Sequence, residues 1–151
     1  MISLKNILSK KGYVKIKLTK TKTNHFEVKG KINGVKGRFI LDTGASNSCV
    51  GYDMTDRFKL VTKESKIKAA GAGASEMDAH KSSKNKLKIG DWKYENLNLV
   101  IFDLSHINIA LKNHGAKTVE GIIGADILNI GEAIIDYKKK RLYLKKLIYK
   151  F

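Results

Sequence analysis

The stretch Phe39-Ile40-Leu41-Asp42-Thr43-Gly44-Ala45-Ser46 carries three bulky apolar residues straight into an aspartate, a hydroxyl residue and a glycine. Such a run reads as a buried strand that ends on a carboxylate, leaving that group partly withdrawn from water. The small residues beyond it let backbone amides approach and leave space for a bound molecule. Alone, an Asp-Thr-Gly triplet is also compatible with an ordinary strand-to-turn junction, so its meaning depends on its surroundings.

Upstream, Tyr13 to Leu18 alternates apolar and basic residues, the period-2 pattern of a strand with one buried face. His25 to Ile32 repeats it. Asn33-Gly34 suits the positive backbone angles of a tight hairpin, and Val35 to Leu41 returns as the partner strand that delivers Asp42. Downstream, Tyr52 to Leu60 fits either a short helix or a turn. Gly71-Ala72-Gly73-Ala74 favours a flexible hairpin tip, and Gly90-Asp91 turns the alternation of Lys86 to Ile89 into the run from Trp92 to Phe102. Gly121-Ile122-Ile123-Gly124 reads as a buried strand closing on glycine. After it, Ala125 to Ile130 is long enough for about one and a half helical turns before Gly131. Ala133 to Tyr137 and Leu142 to Leu147 pair across Lys138-Lys139-Lys140. The expectation is an all-β class and a small closed barrel rather than an open sheet, with one short helix after the second glycine motif.

The 151 residues suffice for one domain, read as an amphipathic leader over 1–12 and a single domain over 13–151. No apolar run approaches the ~20 residues needed to cross a bilayer, so no membrane span is expected. The leader lacks a continuous apolar core and a small-residue cleavage site, which argues against a secretory signal. With Cys49 the only cysteine, no intrachain disulfide can form, in keeping with a reducing, cytoplasmic location. A net charge of +16, from 30 Lys and Arg against 14 Asp and Glu, creates a positive field over much of the surface. The lysines are scattered along strands rather than grouped with a reading motif, which argues against nucleic acid as the main partner. His25, His80, His106 and His114 lie far apart with no partner at metal-ligand spacing, so no metal or other cofactor is expected. Cys49 has no nearby histidine to activate it and reads as a small apolar residue. Asp126 reads as a helix-start residue rather than a second catalytic group.

The Asp42-Thr43-Gly44-Ala45 element and Ile122-Ile123-Gly124, 80 residues after Asp42, together resemble the retropepsins, the single-domain aspartic proteases of retroviruses and their cellular and bacterial relatives. The resemblance covers roughly residues 26–144. It implies that the two elements cross in a ψ-shaped arrangement and that a glycine-rich flap hairpin, here around Ala70, Gly71, Ala72 and Gly73, covers the site. It further implies that Asp42 is the catalytic carboxylate, paired with Asp42 of a second copy in a homodimer. Thr43 would then brace the two loops across the dimer, and Gly44 would contact carboxylates and substrate through its backbone. Ala45 and Ser46 would join the flap in holding an extended peptide. Two departures stand out: Ala45, as in retroviral enzymes, follows Gly44 where pepsin-like enzymes usually have a hydroxyl that bonds the catalytic carboxylate, and Ala125 follows Gly124. Retroviral enzymes carry arginine where Ala125 stands and pair it with an aspartate where Ser46 stands, so both ends of that ion pair are absent together.

The implied activity is peptide-bond hydrolysis by a water molecule held between two aspartates. Two rivals remain: a catalytically silent module of the same fold that dimerises or binds peptide, and a basic nucleic-acid-binding barrel with Tyr94 and Phe102 in a stacking surface.

Overall fold

The computed structural model describes residues 2–65 and 79–148. The alternating runs form strands as their period dictates. After a helix, α1 (Leu4–Lys10), come β1 (Tyr13–Lys17), β2 (Thr19–Lys20), β3 (Phe26–Ile32), β4 (Val35–Leu41) and β5 (Cys49–Gly51). The ambiguous segment after β5 opens as a 3-10 turn over Tyr52–Met54. Then follow β6 (Lys63–Ser65), β7 (Ala79–Ile89), β8 (Trp92–Phe102), helix α2 (Ser105–Asn113), β9 (Gly121–Ile123), helix α3 (Ala125–Ile130), β10 (Ile134–Asp136) and β11 (Arg141–Lys145). The expected flap residues Ala70, Gly71, Ala72 and Gly73 lie outside the described residues.

Strands pair in the order β3-β4-β9-β5-β8-β7, and β7 returns to β3 through Lys31↔Lys88 and Ile32↔Leu87, closing a six-stranded barrel. Asn33 (φ 51°) and Gly34 (φ 84°) make the β3–β4 turn that their positive angles permit. A smaller sheet, β1-β11-β10, packs alongside. Leu142 and Leu144 of β11 carry it into the main core.

The runs at the centre are apolar at every position because both faces of their strands are covered. Phe39 and Leu41 point into the barrel with Val50, Ile101 and Ile123. Their neighbours Ile40, Cys49, Val100 and Ile122 point outward into a second cluster with Phe102, Leu104 and Leu111. Each such fully buried side chain contributes roughly 1.5–3 kcal/mol. The outer cluster exists because α2 covers that face, a helix the sequence reading did not anticipate. Its signal was present: Leu104, Ile107 and Leu111 recur at helical spacing, and all three belong to the outer cluster. The leader also forms a helix, α1, anchored by buried Leu8. Where one short helix was expected, the described residues thus form three, while the β class and barrel closure stand.

Candidate active site

Strand β9 lies between two strands that are neighbours in sequence. It runs parallel to β4 on one side, with Phe39↔Gly121, Ile40↔Ile122 and Leu41↔Ile123. On its other side it is antiparallel to β5 through Cys49↔Ile122 and Val50↔Gly121. The loop over residues 42–48 must therefore step across the end of β9. Three backbone bonds fix it there: Asp42 N–H to Ile123 O (3.0 Å), Ala45 N–H to Asp42 O (3.2 Å) and Ala125 N–H to Ala45 O (2.7 Å).

Side chains tie the same two segments. Ser48, fully buried, donates its hydroxyl to Asp126 Oδ1 (2.8 Å) and its N–H to Asp126 Oδ2 (3.0 Å). The Ser48 hydroxyl also accepts the N–H of Gly124 (2.9 Å). Asp126 thus sits in the first turn of α3, as read from the sequence, but its carboxylate is directed at a residue 78 positions away. Gly124 is required on steric grounds, because a Cβ there would stand 2.5 Å from Ala45 O. Together these contacts tie the loop to α3 where Ala125 and Ser46 leave no ion pair to do so.

On this frame Asp42 projects from the end of β4, with Oδ1 accepting the N–H of Gly44 at 2.9 Å. The carboxylate is exposed in the single chain, which corrects the expectation that the strand end alone would partly withdraw it from water. The reason is local: Thr43, Gly44 and Ser46 are exposed as well, so no side chain of the loop roofs the group. The Thr43 hydroxyl has no partner among the described residues. Ala45 packs against the outer cluster and spends its carbonyl on Ala125, while Ser46 faces solvent.

A depression of about 240 Å³ opens beside Asp42. Its walls include Phe26, Leu41, Ile135 and Tyr137, with Lys20 and His25 among its polar lining. Tyr137 is exposed and leans on Phe26, ring centroids 4.9 Å apart. Sequence reasoning missed this wall; Tyr137 closes the strand before Lys138-Lys139-Lys140, and nothing local marks its approach to residue 26. Asp42 is the only carboxylate lining the depression among the described residues.

Cys49 lies immediately beneath. Burial pushes its thiol up to about 12, against a backbone hydrogen bond at Ile122, and the nearby Asp126 and Asp42 carboxylates add to the rise. A thiol so protonated is a packing group and no nucleophile. Among the described residues no three His, Cys, Asp or Glu side chains gather as a metal site. No helix there is long and apolar enough to cross a membrane.

Residues 28–127 match the aspartyl protease family model, and the chain belongs to that family. Its fold is that of the retropepsin-like aspartic proteases. A crystal structure of a retropepsin-like aspartic protease from Rickettsia conorii superimposes with TM-score 0.58 at 17% identity, covering 89% of this chain and 92% of that one. The retroviral protease-like domain of Ddi1 from Leishmania major gives TM-score 0.51 at 16% identity, over 81% of this chain and 93% of that one. EIAV protease complexed with the inhibitor HBY-793 gives TM-score 0.50 at 18% identity, over 68% of this chain and 84% of that one. No curated protein sequence matches the chain significantly.

Proposed function

We propose that the protein is an aspartic endopeptidase, active as a homodimer in which Asp42 of each copy meets at a two-fold axis. One observation carries this reading: a single exposed carboxylate, oriented by the Gly44 N–H on a braced loop, with no second carboxylate lining its depression. Acid and base catalysis on a peptide bond needs two such groups, and a symmetric dimer supplies the second from the same residue. Two carboxylates about 3 Å apart share one proton, because charging both is unfavourable. The ionised member takes a proton from the bound water as its oxygen attacks the peptide carbonyl carbon. The protonated member donates to the carbonyl oxygen. Collapse of the tetrahedral intermediate breaks the C–N bond and the amine leaves protonated. The unpartnered Thr43 hydroxyl is free to bond across the axis.

Chemistry of this kind uses no metal or organic cofactor. The lone cysteine fits a reducing compartment such as the cytoplasm. Digestion of a peptide library, read by mass spectrometry, tests the reading together with Asp42→Asn. Cleavage that tracks the dimer in sedimentation and vanishes in the variant is expected. Dimers that bind peptide without cutting would favour a silent module, and cleavage by a demonstrated monomer would exclude the dyad.

A further inference from the structure

The depression at Asp42 is not the most spacious among the described residues. Two others, about 590 and 660 Å³, adjoin through Lys29, Arg38 and Gly90, which line both. The second also shares Lys20 with the depression at Asp42. The three depressions are thus linked in series by shared lining residues, the two larger ones along β3 and β4. Lysines dominate the walls of this path, among them Lys15, Lys22 and Lys117 near the Asp42 end and Lys31, Lys36 and Lys88 at the far end. The acids on the path are Glu27 and Glu120, and both are engaged. Glu27 is ion-paired with Arg38. Glu120 is bound to Arg57 at 3.1 Å and to the Arg38 N–H at 3.2 Å. These pairings engage both acids with the two guanidinium groups, and the lysines that line the path far outnumber its acids, with Lys29 and Lys117 also acting on Glu27.

We propose that this channel is an extended substrate-binding site for an acidic polypeptide segment, Asp/Glu-rich or phosphorylated, adjoining the bond to be cut. The inference rests on the protease reading and names its substrate class. Three features select a polypeptide. The channel and the Asp42 depression adjoin at Lys20, so an extended chain reaching from one to the other is the occupant their arrangement suits. No aromatic side chain lines either large depression, which leaves no platform for stacked bases. A second copy of this chain is disfavoured because two such faces repel. Arg38 stands four residues before Asp42, about 13 Å along an extended strand, so about four tail residues reach Arg38 and a tail of about eight, about 26 Å long, extends well past it.

The test compares two fluorogenic peptides with one cleavage sequence, with and without a tail of about eight Asp and Glu residues. Wild-type protein and Lys29→Glu/Lys88→Glu/Lys117→Glu are used; all three positions are exposed and none lines the depression at Asp42. At low salt the tail is expected to lower KM roughly tenfold with little change in kcat, and the triple variant or ~0.5 M NaCl to erase the KM difference between the two peptides, a ratio taken within one sample and so independent of its dimer fraction. Equal KM values for the two peptides in wild type would overturn the proposal and leave the protease reading intact. Should neither peptide be cut, the protease reading fails, and anisotropy with a labelled tail still decides the channel: binding lost in the triple variant supports it, and no binding overturns it. Displacement of the tail by an oligonucleotide of equal charge that binds more tightly would overturn it in favour of nucleic acid.

Discussion

The hydroxyl of Ser48 stands 2.8 Å from Asp126 Oδ1 while accepting the N–H of Gly124 at 2.9 Å, so one buried side chain joins the loop that carries Asp42 to the turn that follows β9. Ser48→Ala leaves the Gly124 N–H without its acceptor and one Asp126 oxygen without a donor. A loss of about 1–3 kcal/mol in urea unfolding is expected. Turnover should fall with KM nearly unchanged, since the loop loses position rather than substrate contacts. Serine-to-threonine replacement, which keeps the hydroxyl, should restore more activity than alanine; equal losses would deny the hydroxyl its positioning role.

Gly124→Ala tests the same crossing by crowding it. The added Cβ would press on Ala45 O, with the Asn47 backbone 3.2 Å away, so the backbone on one side must move. Overpacking of this kind costs roughly 1–3 kcal/mol. The melting temperature should drop and activity should fall disproportionately, because the displaced atoms belong to the loop itself. A variant with wild-type kcat would show that the crossing tolerates slack.

Asp42→Asn is expected to abolish turnover while changing stability little in the unassociated chain. Asp42 is exposed there, and its one intrachain side-chain bond, to Gly44 N–H, can be accepted by an amide oxygen. Mixing inactive variant with wild type should lower activity more steeply than dilution, since each mixed dimer loses one of its two carboxyls. Linear dilution would argue for independent active chains.

The fold was legible where burial is continuous. Phe39 to Leu41, Cys49-Val50 and Ile122-Ile123 are apolar at successive positions because both strand faces are covered, and that signal survives in a single sequence. What could not be read is what the second face packs against. Helix α2 was missed although Leu104, Ile107 and Leu111 mark it, because strand-like runs on either side drew the same residues into an all-β reading. At the site, Asp42 and Gly124 announce themselves through local motifs, whereas Ser48 and Asp126 look like common loop and helix-start residues. Their contact joins positions far apart in sequence, and only the threading of β9 reveals it. The exposure of Asp42 was misjudged for a similar reason: a strand end predicts burial only when something closes over it.

Cys49 gives a prediction in the alkaline range. Its folded thiol is raised to about 12 while the unfolded thiol titrates near 9, so the folded state holds the proton more tightly. That contribution is complete below pH 9 and is lost as pH rises toward 12. Stability measured against Cys49→Ala should therefore converge with, then fall below, its neutral-pH advantage across that window. Iodoacetamide should label the native thiol slowly at pH 8 and rapidly in denaturant; fast native labelling would mean the site opens to solvent.

Association should strengthen with salt. Two chains of net charge +16 repel, and ions screen that repulsion within about 8–10 Å at physiological strength. Sedimentation across 0.05–0.5 M NaCl should show a rising dimer fraction. Dissociation instead would mean that ion pairs hold the interface.

Threading β9 between β4 and β5 also sets an order of assembly. The chain acquires Asp42 early in synthesis, but Ile123, Ala125 and Asp126, whose groups hold the loop, arrive some 80 residues later. Contacts so distant in sequence close late in folding. A growing chain thus carries Asp42 on an unbraced loop until residues 123–126 have been made, and on the proposed reading a nascent chain is spared from cutting itself or its neighbours before that point.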